Sequence, residues 1–181
     1  MQNQIDLQPA YLLHSRPFRD SSRLLDFITP DFGRFSAIAN GSRRVGAKNK
    51  GLLQPFTPIQ ISVSGKSELK TLRSVELVSD AFVLKGEQLY SALYINELMV
   101  RLVHANESEE DLFLEYERTL GLLQHGKDLE PILRCFEIAL LDVIGYGIEF
   151  KIDASSGEAI VPDEHYYFEI EKGFSHIDIS R

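Results

Sequence analysis

The side chains in this chain best suited to chemistry are cationic, and they gather in its first third. Arg16, Arg19 and Arg23 lie around the first expected turn, and Arg34 opens a strand. Arg43, Arg44, Lys48 and Lys50 crowd a glycine-containing loop. Between His14 and Lys50 there are eight Lys and Arg against three Asp and Glu, in a chain whose formal net charge is −8. Guanidinium groups match phosphate oxygens bidentately. Basic loops on a rigid support track a phosphate backbone without reading bases. Phe18, Phe32 and Phe35 are interleaved with these cations. Exposed rings would stack on unpaired bases, although core packing is the commoner fate of a phenylalanine. The competing reading of the whole stretch is ordinary solvated surface.

Other chemistries find no support. The phosphate loop G-x-x-x-x-G-K-[ST] is absent, and Gly65-Lys66-Ser67 reads as a turn. Gly145-Tyr146-Gly147 reads as a helix stop. H-E-x-x-H and G-x-S-x-G are both missing, and the five histidines are dispersed. Glu107, Glu109, Glu110 and Asp111 cluster where a helix macrodipole favours acids, so solvation and capping explain them. Cys135, the single cysteine, falls on or beside an apolar helical stripe and reads as a buried thiol. It leaves neither a disulfide nor a cysteine zinc site. These observations predict a protein with no catalytic residues, no metal and no cofactor.

The charge is divided along the chain. Residues 1–80 carry 11 Lys and Arg against 7 Asp and Glu, a net of +4, while residues 81–181 carry 8 against 20, a net of −12. Such asymmetry says more about partners than the sum does. There is no apolar leader and no run of membrane-spanning length, so a cytoplasmic protein is expected.

The elements positioning the cations change character near Val83. Before it, Ala10–His14, Ser22–Thr29, Arg34–Ala39, Ile59–Val63 and Glu68–Val78 read as five short strands. Pro30, Asp31 and Gly33 turn the second strand into the third. Five strands in about 75 residues suggest a small closed barrel, of OB or SH3-like type. After Val83, Leu84, Leu89, Leu93, Leu98 and Leu102, with nearby Tyr90, Ile95 and Met99, recur at helical spacing and read as a long helix. A second helix is expected over Glu109–Gln124, carrying Leu112, Phe113, Tyr116, Leu120 and Leu123 on one side. A third opens at Glu130-Pro131, with Ile132, Leu133, Phe136, Leu140, Leu141 and Ile144 as its buried stripe. Residues 148–181 read as irregular, with Glu164–Ile170 and Gly173–Ile179 able to pair as a hairpin. The predicted division is 1–80 for the barrel and 81–181 for an acidic helical domain, incomplete because three helices and a ragged tail make a marginal bundle.

Several blocks together resemble the RecO family of bacterial recombination mediators. They are Ala10 to Ser22 (AYLLHSRPFRDSS), Asp31 to Arg34 (DFGR), Asn40 to Arg44 (NGSRR), Gly51 to Phe56 (GLLQPF) and Gly65 to Leu72 (GKSELKTL). In the second half the likeness is looser, held by the leucine-rich helices and the segment from Leu141 to Gly147. The resemblance implies an α+β fold, with an N-terminal five-stranded OB-fold barrel followed by an α-helical domain. It implies binding of single- and double-stranded DNA, strand annealing, and recombinase loading with RecR and RecF onto DNA coated by single-strand binding protein. Carried onto matching positions, DNA binding falls to Arg16, Arg19, Arg34, Arg43, Arg44, Lys48 and Lys50, foremost Arg34, Arg43 and Arg44. Each would contact phosphate without base readout. Some relatives carry a four-cysteine zinc site after the Gly-Tyr-Gly segment. Here residues 149–158 (EFKIDASSGE) contain no cysteine, so no zinc is expected.

The helical half is implied to bind the acidic C-terminal tail of the single-strand binding protein. Its own charge opposes that, so a local pocket is required. Arg101, Arg118, Lys127, Arg134 and Lys151 are its candidate cations. The alternative function is a protein–protein adaptor working through the acidic helical domain, and salt dependence of DNA binding separates the two.

Overall fold

The computed structural model describes residues 4–43 and 51–177. Five strands, β1 (Gln4–Phe18), β2 (Ser22–Thr29), β3 (Gly33–Ala39), β4 (Ile59–Ser64) and β5 (Lys70–Leu77), close into a barrel in the order β1-β2-β3-β5-β4. All pairings are antiparallel except β3 with β5, which meet in parallel at Ala37↔Lys70 and Ile38↔Thr71. The architecture is a small OB-type barrel followed by helices.

β1 is far longer than its expected core of Ala10–His14. It pairs with β4 through Gln4–Ala10 and with β2 through Tyr11–Phe18. Its register shifts between Ile5 and Gln8, and again between Leu12 and His14. Each irregularity inverts which residues face inward, so no single alternation runs through the strand. Leu7, in the first irregularity, has φ 50°.

Inside the barrel, Leu12, Leu25, Phe27, Phe35, Ala37, Leu53, Ile59, Ile61 and Val63 form the core. Outside it, Tyr11, Leu13 and Ile28 are equally buried. Tyr11 packs against the rings of Phe82, Phe113 and Tyr116, at centroid distances of 6.4, 5.5 and 5.2 Å. β2 is thus covered on both faces, which explains its nearly unbroken burial. Each large side chain so buried stabilises by roughly 1.5–3 kcal/mol.

Three helices follow: α1 (Glu87–Leu102), α2 (Glu110–His125) and α3 (Glu130–Val143). α2 buries Leu112, Phe113, Tyr116, Leu120 and Leu123, as its spacing predicts. α1 differs. Its buried side is Ala92, Ile95, Asn96 and Met99, while Tyr90, Leu93 and Leu102 are exposed. Of the residues the helical spacing marks, Ile95 and Met99 are on the inner face, whereas Tyr90, Leu93 and Leu102 are not.

Asn96 explains the choice. The irregularity at Leu13 frees a backbone carbonyl, and Asn96 Nδ2 donates to it at 2.9 Å. Tyr116 Oη donates to Asn96 Oδ1 at 2.7 Å and fixes the amide. Burial pushes the Tyr116 phenol up from its ordinary value, so it remains a donor. Asn96, 3% exposed, thereby satisfies one group of β1 and one of α2.

In α3, Phe136 and Leu140 are buried, whereas Ile132, Leu133, Leu141 and Ile144 are half-buried. Cys135 is exposed, contrary to the buried thiol expected from sequence. At 100° per residue it lies on the flank of the stripe centred on Phe136 and Leu140.

The chain divides into two compact units, Met1–Glu137 and Ile138–Arg181. In the second, β6 (Tyr166–Glu169) and β7 (Gly173–His176) form the hairpin allowed by the sequence. Asp153 anchors it. Its Oδ1 accepts from the Ser155 hydroxyl at 2.6 Å and from the Ser155 and Ser156 amides, and its Oδ2 from the His176 amide at 3.3 Å. These donors, the Ser155 hydroxyl first, lower the carboxyl pKa to about 2. Phe150, Ile152, Phe168 and Ile170 of this unit are exposed.

Candidate nucleic-acid interface

The cations of the barrel do not form one patch. β2 and β3 run antiparallel from Arg23↔Ala39 at one end to Thr29↔Gly33 at the other, so their two ends are separate places. Five residues divide Arg34 from Ala39, roughly 17 Å of extended strand.

At the Arg23 end, the β1–β2 turn meets the segment leaving β3. The Arg43 amide donates to Ser21 O at 3.0 Å, and its Nη1 donates to Arg19 O at 3.2 Å. Ser42 Oγ donates to Ala39 O at 2.8 Å, and Gly41 supplies the positive φ of 66° that turns the chain. Ser22 Oγ donates to Asn40 Oδ1 at 3.3 Å. Arg19 itself has φ 51°, and its guanidinium lies over the Phe18 ring, 5.2 Å from the centroid. Arg16 reaches the same corner along β1, where its neighbour Pro17 pairs with Arg23. Arg16, Arg19 and Arg43 are exposed, and Arg23 is half-buried on the row ending in Ala39. Asp20 is the one carboxylate in this turn and is exposed too. Among the described residues, none of the four arginines is held in an ion pair.

Arg34 is elsewhere and otherwise occupied. Its Nε donates to Val103 O at 2.9 Å, and its carbonyl accepts from the Asn106 amide at 2.8 Å. Ser108 Oγ donates to Pro30 O beside it. Gly33 has φ 58°, and a Cβ there would collide with the Glu107 carbonyl oxygen. This end of the hairpin is clamped to the α1–α2 connection. Arg44, Lys48 and Lys50 lie outside the described residues.

Arg23 belongs to the basic cluster read from the sequence but not to the positions that the family resemblance carries over. β-alternation would have added it, because it shares a face with Leu25 and Phe27 yet stands beyond them at the strand end. Phe35, 2% exposed, is core, and half-buried Phe32 packs against that core. Phe18 alone of the three phenylalanines sits among the free cations.

The helical cations are differently placed. Arg101 pairs with Glu97 at 2.7 Å, Arg118 with Glu115 at 2.9 Å and Arg134 with Glu137 at 2.7 Å. Bonding to Glu115 holds the Arg118 guanidinium above its ordinary pKa. Lys127 and Lys151 are exposed. Of these, Arg101 alone lines a described cavity, a groove of about 390 Å³ shared with Leu13, His14, Leu93 and Val100. Among the described residues, no group of three or more His, Cys, Asp or Glu side chains could hold a metal, and no helix is long and apolar enough to cross a membrane.

Residues 1–81 match the family model described as "Recombination protein O N terminal", and residues 84–176 match "Recombination protein O C terminal". A protein of Cellvibrio japonicus named DNA repair protein RecO is 44% identical over 170 residues, 94% of this chain and 72% of that relative. The protein of that name from Aliivibrio salmonicida is 45% identical over 168 residues, 93% of this chain and 71% of the relative. That from Coxiella burnetii is 40% identical over 174 residues, 96% of this chain and 75% of the relative.

Proposed function

The chain belongs to the recombination protein O family of DNA repair proteins, and on that premise we propose that its arginine corner is a sequence-independent DNA platform. Arg16, Arg19, Arg23 and Arg43 neutralise backbone phosphates of one or two strands. Lower repulsion and higher local concentration then let complementary bases pair, so the protein anneals strands without a catalytic group and without ATP. With RecR and RecF as partners in the cytoplasm, it helps exchange single-strand binding protein for recombinase. The acidic tail of the single-strand binding protein docks on the helical part through one of its cations and an apolar slot.

The observation carrying this reading is that Arg16, Arg19, Arg23 and Arg43 all lie in or beside the β1–β2 turn at one barrel end, with no carboxylate paired to them among the described residues. An acidic chain that leaves those arginines uncompensated keeps them available to an external anion. Phosphate is the anion that arginine clusters suit best.

The test is a binding titration of labelled oligonucleotides across a salt series, comparing the parent chain with Arg19→Ala/Arg43→Ala. The expected result is weaker binding of single strand and duplex alike, with a shallower dependence on log salt. Equal affinity and equal slope in the two proteins would end the DNA reading and favour the adaptor.

A further inference from the structure

The arginine corner does not stop at the turn. After the irregularity at Leu13, alternate residues of β1 face outward, and these are His14 and Arg16. Across from His14 stands α1. Leu93, Glu97 and Val100 recur there at spacings of four and three, which places them on one stripe, and Arg101 follows Glu97 by four. The groove between strand and helix measures about 390 Å³ and has Leu13 and Asn96 in its lining. Leu93 is 42% exposed along one wall. Five residues of β1, roughly 17 Å at strand rise, connect His14 to Arg19.

Both carboxylates beside the groove are engaged by partners. Asp26 is buried, accepts from Ser36 Oγ at 2.5 Å and lies 3.6 Å from His14 Nδ1. Glu97 is paired with Arg101 at 2.7 Å. Arg16, two residues beyond His14 on the same side of β1, stands in no ion pair among the described residues. An apolar slot beside a cation, continuous with a phosphate-binding edge, fits one ligand element well: a nucleotide whose base is unstacked.

We infer that the groove between β1 and α1 receives an unstacked base of a single strand, its phosphate held toward Arg16. The base lies against Leu13, Leu93 and Val100. This rests on the DNA reading of the corner and extends it, because a duplex keeps its bases paired and cannot enter the slot. The corner supplies affinity for any DNA, and the groove supplies preference for single strands.

The chain contains no tryptophan, so Leu93→Trp installs a single reporter at an exposed position. Oligothymidine should quench its emission, and a hairpin duplex with the same number of phosphates should not. Leu93→Ser should lower single-strand affinity about tenfold, the scale of one buried leucine contact, and leave duplex affinity within about twofold. Its unchanged melting transition would exclude a folding defect. Absence of quenching, or equal loss for both DNAs, overturns the groove. So does capture of an aspartate-rich peptide ending in phenylalanine without base-dependent quenching, which would assign the groove to a protein tail. Arg19→Ala/Arg43→Ala separates the two levels. If that variant loses DNA binding while Leu93→Trp is never quenched, the corner stands and the groove falls. If it loses nothing, the DNA reading itself falls.

Discussion

Arg34 and Arg43 look alike in sequence and lie at opposite ends of the barrel hairpin. Both follow a glycine-containing turn, and both match the same family pattern. Yet the Arg34 Nε is bonded to Val103 O, while the Arg43 side chain, among the described residues, meets only the backbone carbonyl of another arginine. The difference extends across the molecule. Asn96 and Asp153 are polar groups committed to backbone partners. Arg101, Arg118 and Arg134 are half-committed, each to a glutamate of its own helix. The corner arginines are charges left over. Charge available for a ligand is therefore a matter of what the fold does not consume, and counting cations along the chain does not measure it.

The largest effect should come from the most committed group. Asn96→Leu keeps volume but removes the partners of Leu13 O and Tyr116 Oη at once. Leaving two buried polar groups unsatisfied costs about 1–3 kcal/mol each, so urea unfolding should report a loss of about 2–6 kcal/mol. Tyr116→Phe alone should cost about 1 kcal/mol. The double variant should lose less than the sum, since the two residues share one network. Strict additivity would show that Asn96 is not the link between β1 and α2.

That link was only partly legible. The Leu112–Leu123 stripe was readable because one periodicity governs α2 from end to end. The turn at Pro30–Gly33 was readable because its chemistry is local. β1 was not, because two irregularities break its alternation, and neither Leu7 nor Leu13 carries a residue-type signature for one. Asn96 interrupts an apolar stripe, and that interruption was the available sign of a buried partner. Its partner, Leu13 O, lies 83 positions away, and a carbonyl leaves no trace in sequence. The same holds for Arg34: the motif marked the residue, but only tertiary structure shows that Val103 O takes it. Cys135 misled because it adjoins Phe136, and adjacency on a helix is a turn of 100°, not a shared face.

Arg34→Ala sharpens the contrast between barrel ends. It should lower stability by about 1.5–3 kcal/mol, the range for a hydrogen bond to a charged group. The salt dependence of DNA binding should stay that of the parent chain. Arg19→Ala/Arg43→Ala should do the reverse. Stability should change by no more than about 0.5 kcal/mol, as for exposed substitutions. The log–log salt slope for single strands should fall by about 1.4, at about 0.7 for each phosphate no longer neutralised. If Arg34→Ala flattens the slope as well, the clamp also touches DNA and the two ends are not distinct.

Asp153 offers the acidic counterpart to Arg34. Its folded pKa, about 2, lies below the ordinary carboxylate value of about 3.9. The stability it contributes is therefore complete above the unfolded value and is lost as pH falls from about 4 toward 2. Amide exchange at Ser155, Ser156 and His176 should accelerate in that window relative to the barrel strands. Asp153→Asn should show fast exchange already at neutral pH and no further step on acidification. An acid step that survives in the asparagine variant would assign the transition to another carboxylate.

The smallest effect concerns the half-committed cations, and it bears most directly on what makes a binding surface. Arg118 and Arg134 are more than half exposed and pair with glutamates three residues away. Pairs of this kind contribute about 0.3–0.5 kcal/mol, so either alanine variant should shift the unfolding midpoint barely beyond error. Because the partner glutamates already neutralise them, Arg118→Ala/Arg134→Ala should also leave DNA affinity and salt slope unchanged. Glu115→Gln/Glu137→Gln gives the opposing arm. It frees two guanidinium groups without adding any cation, and should make the salt slope steeper only if the helical surface lies in reach of the DNA held at the corner. A steeper slope would show that pairing alone keeps this surface silent. An unchanged slope would show that position excludes it, and the contrast between corner and helices would then rest on geometry as well as on charge.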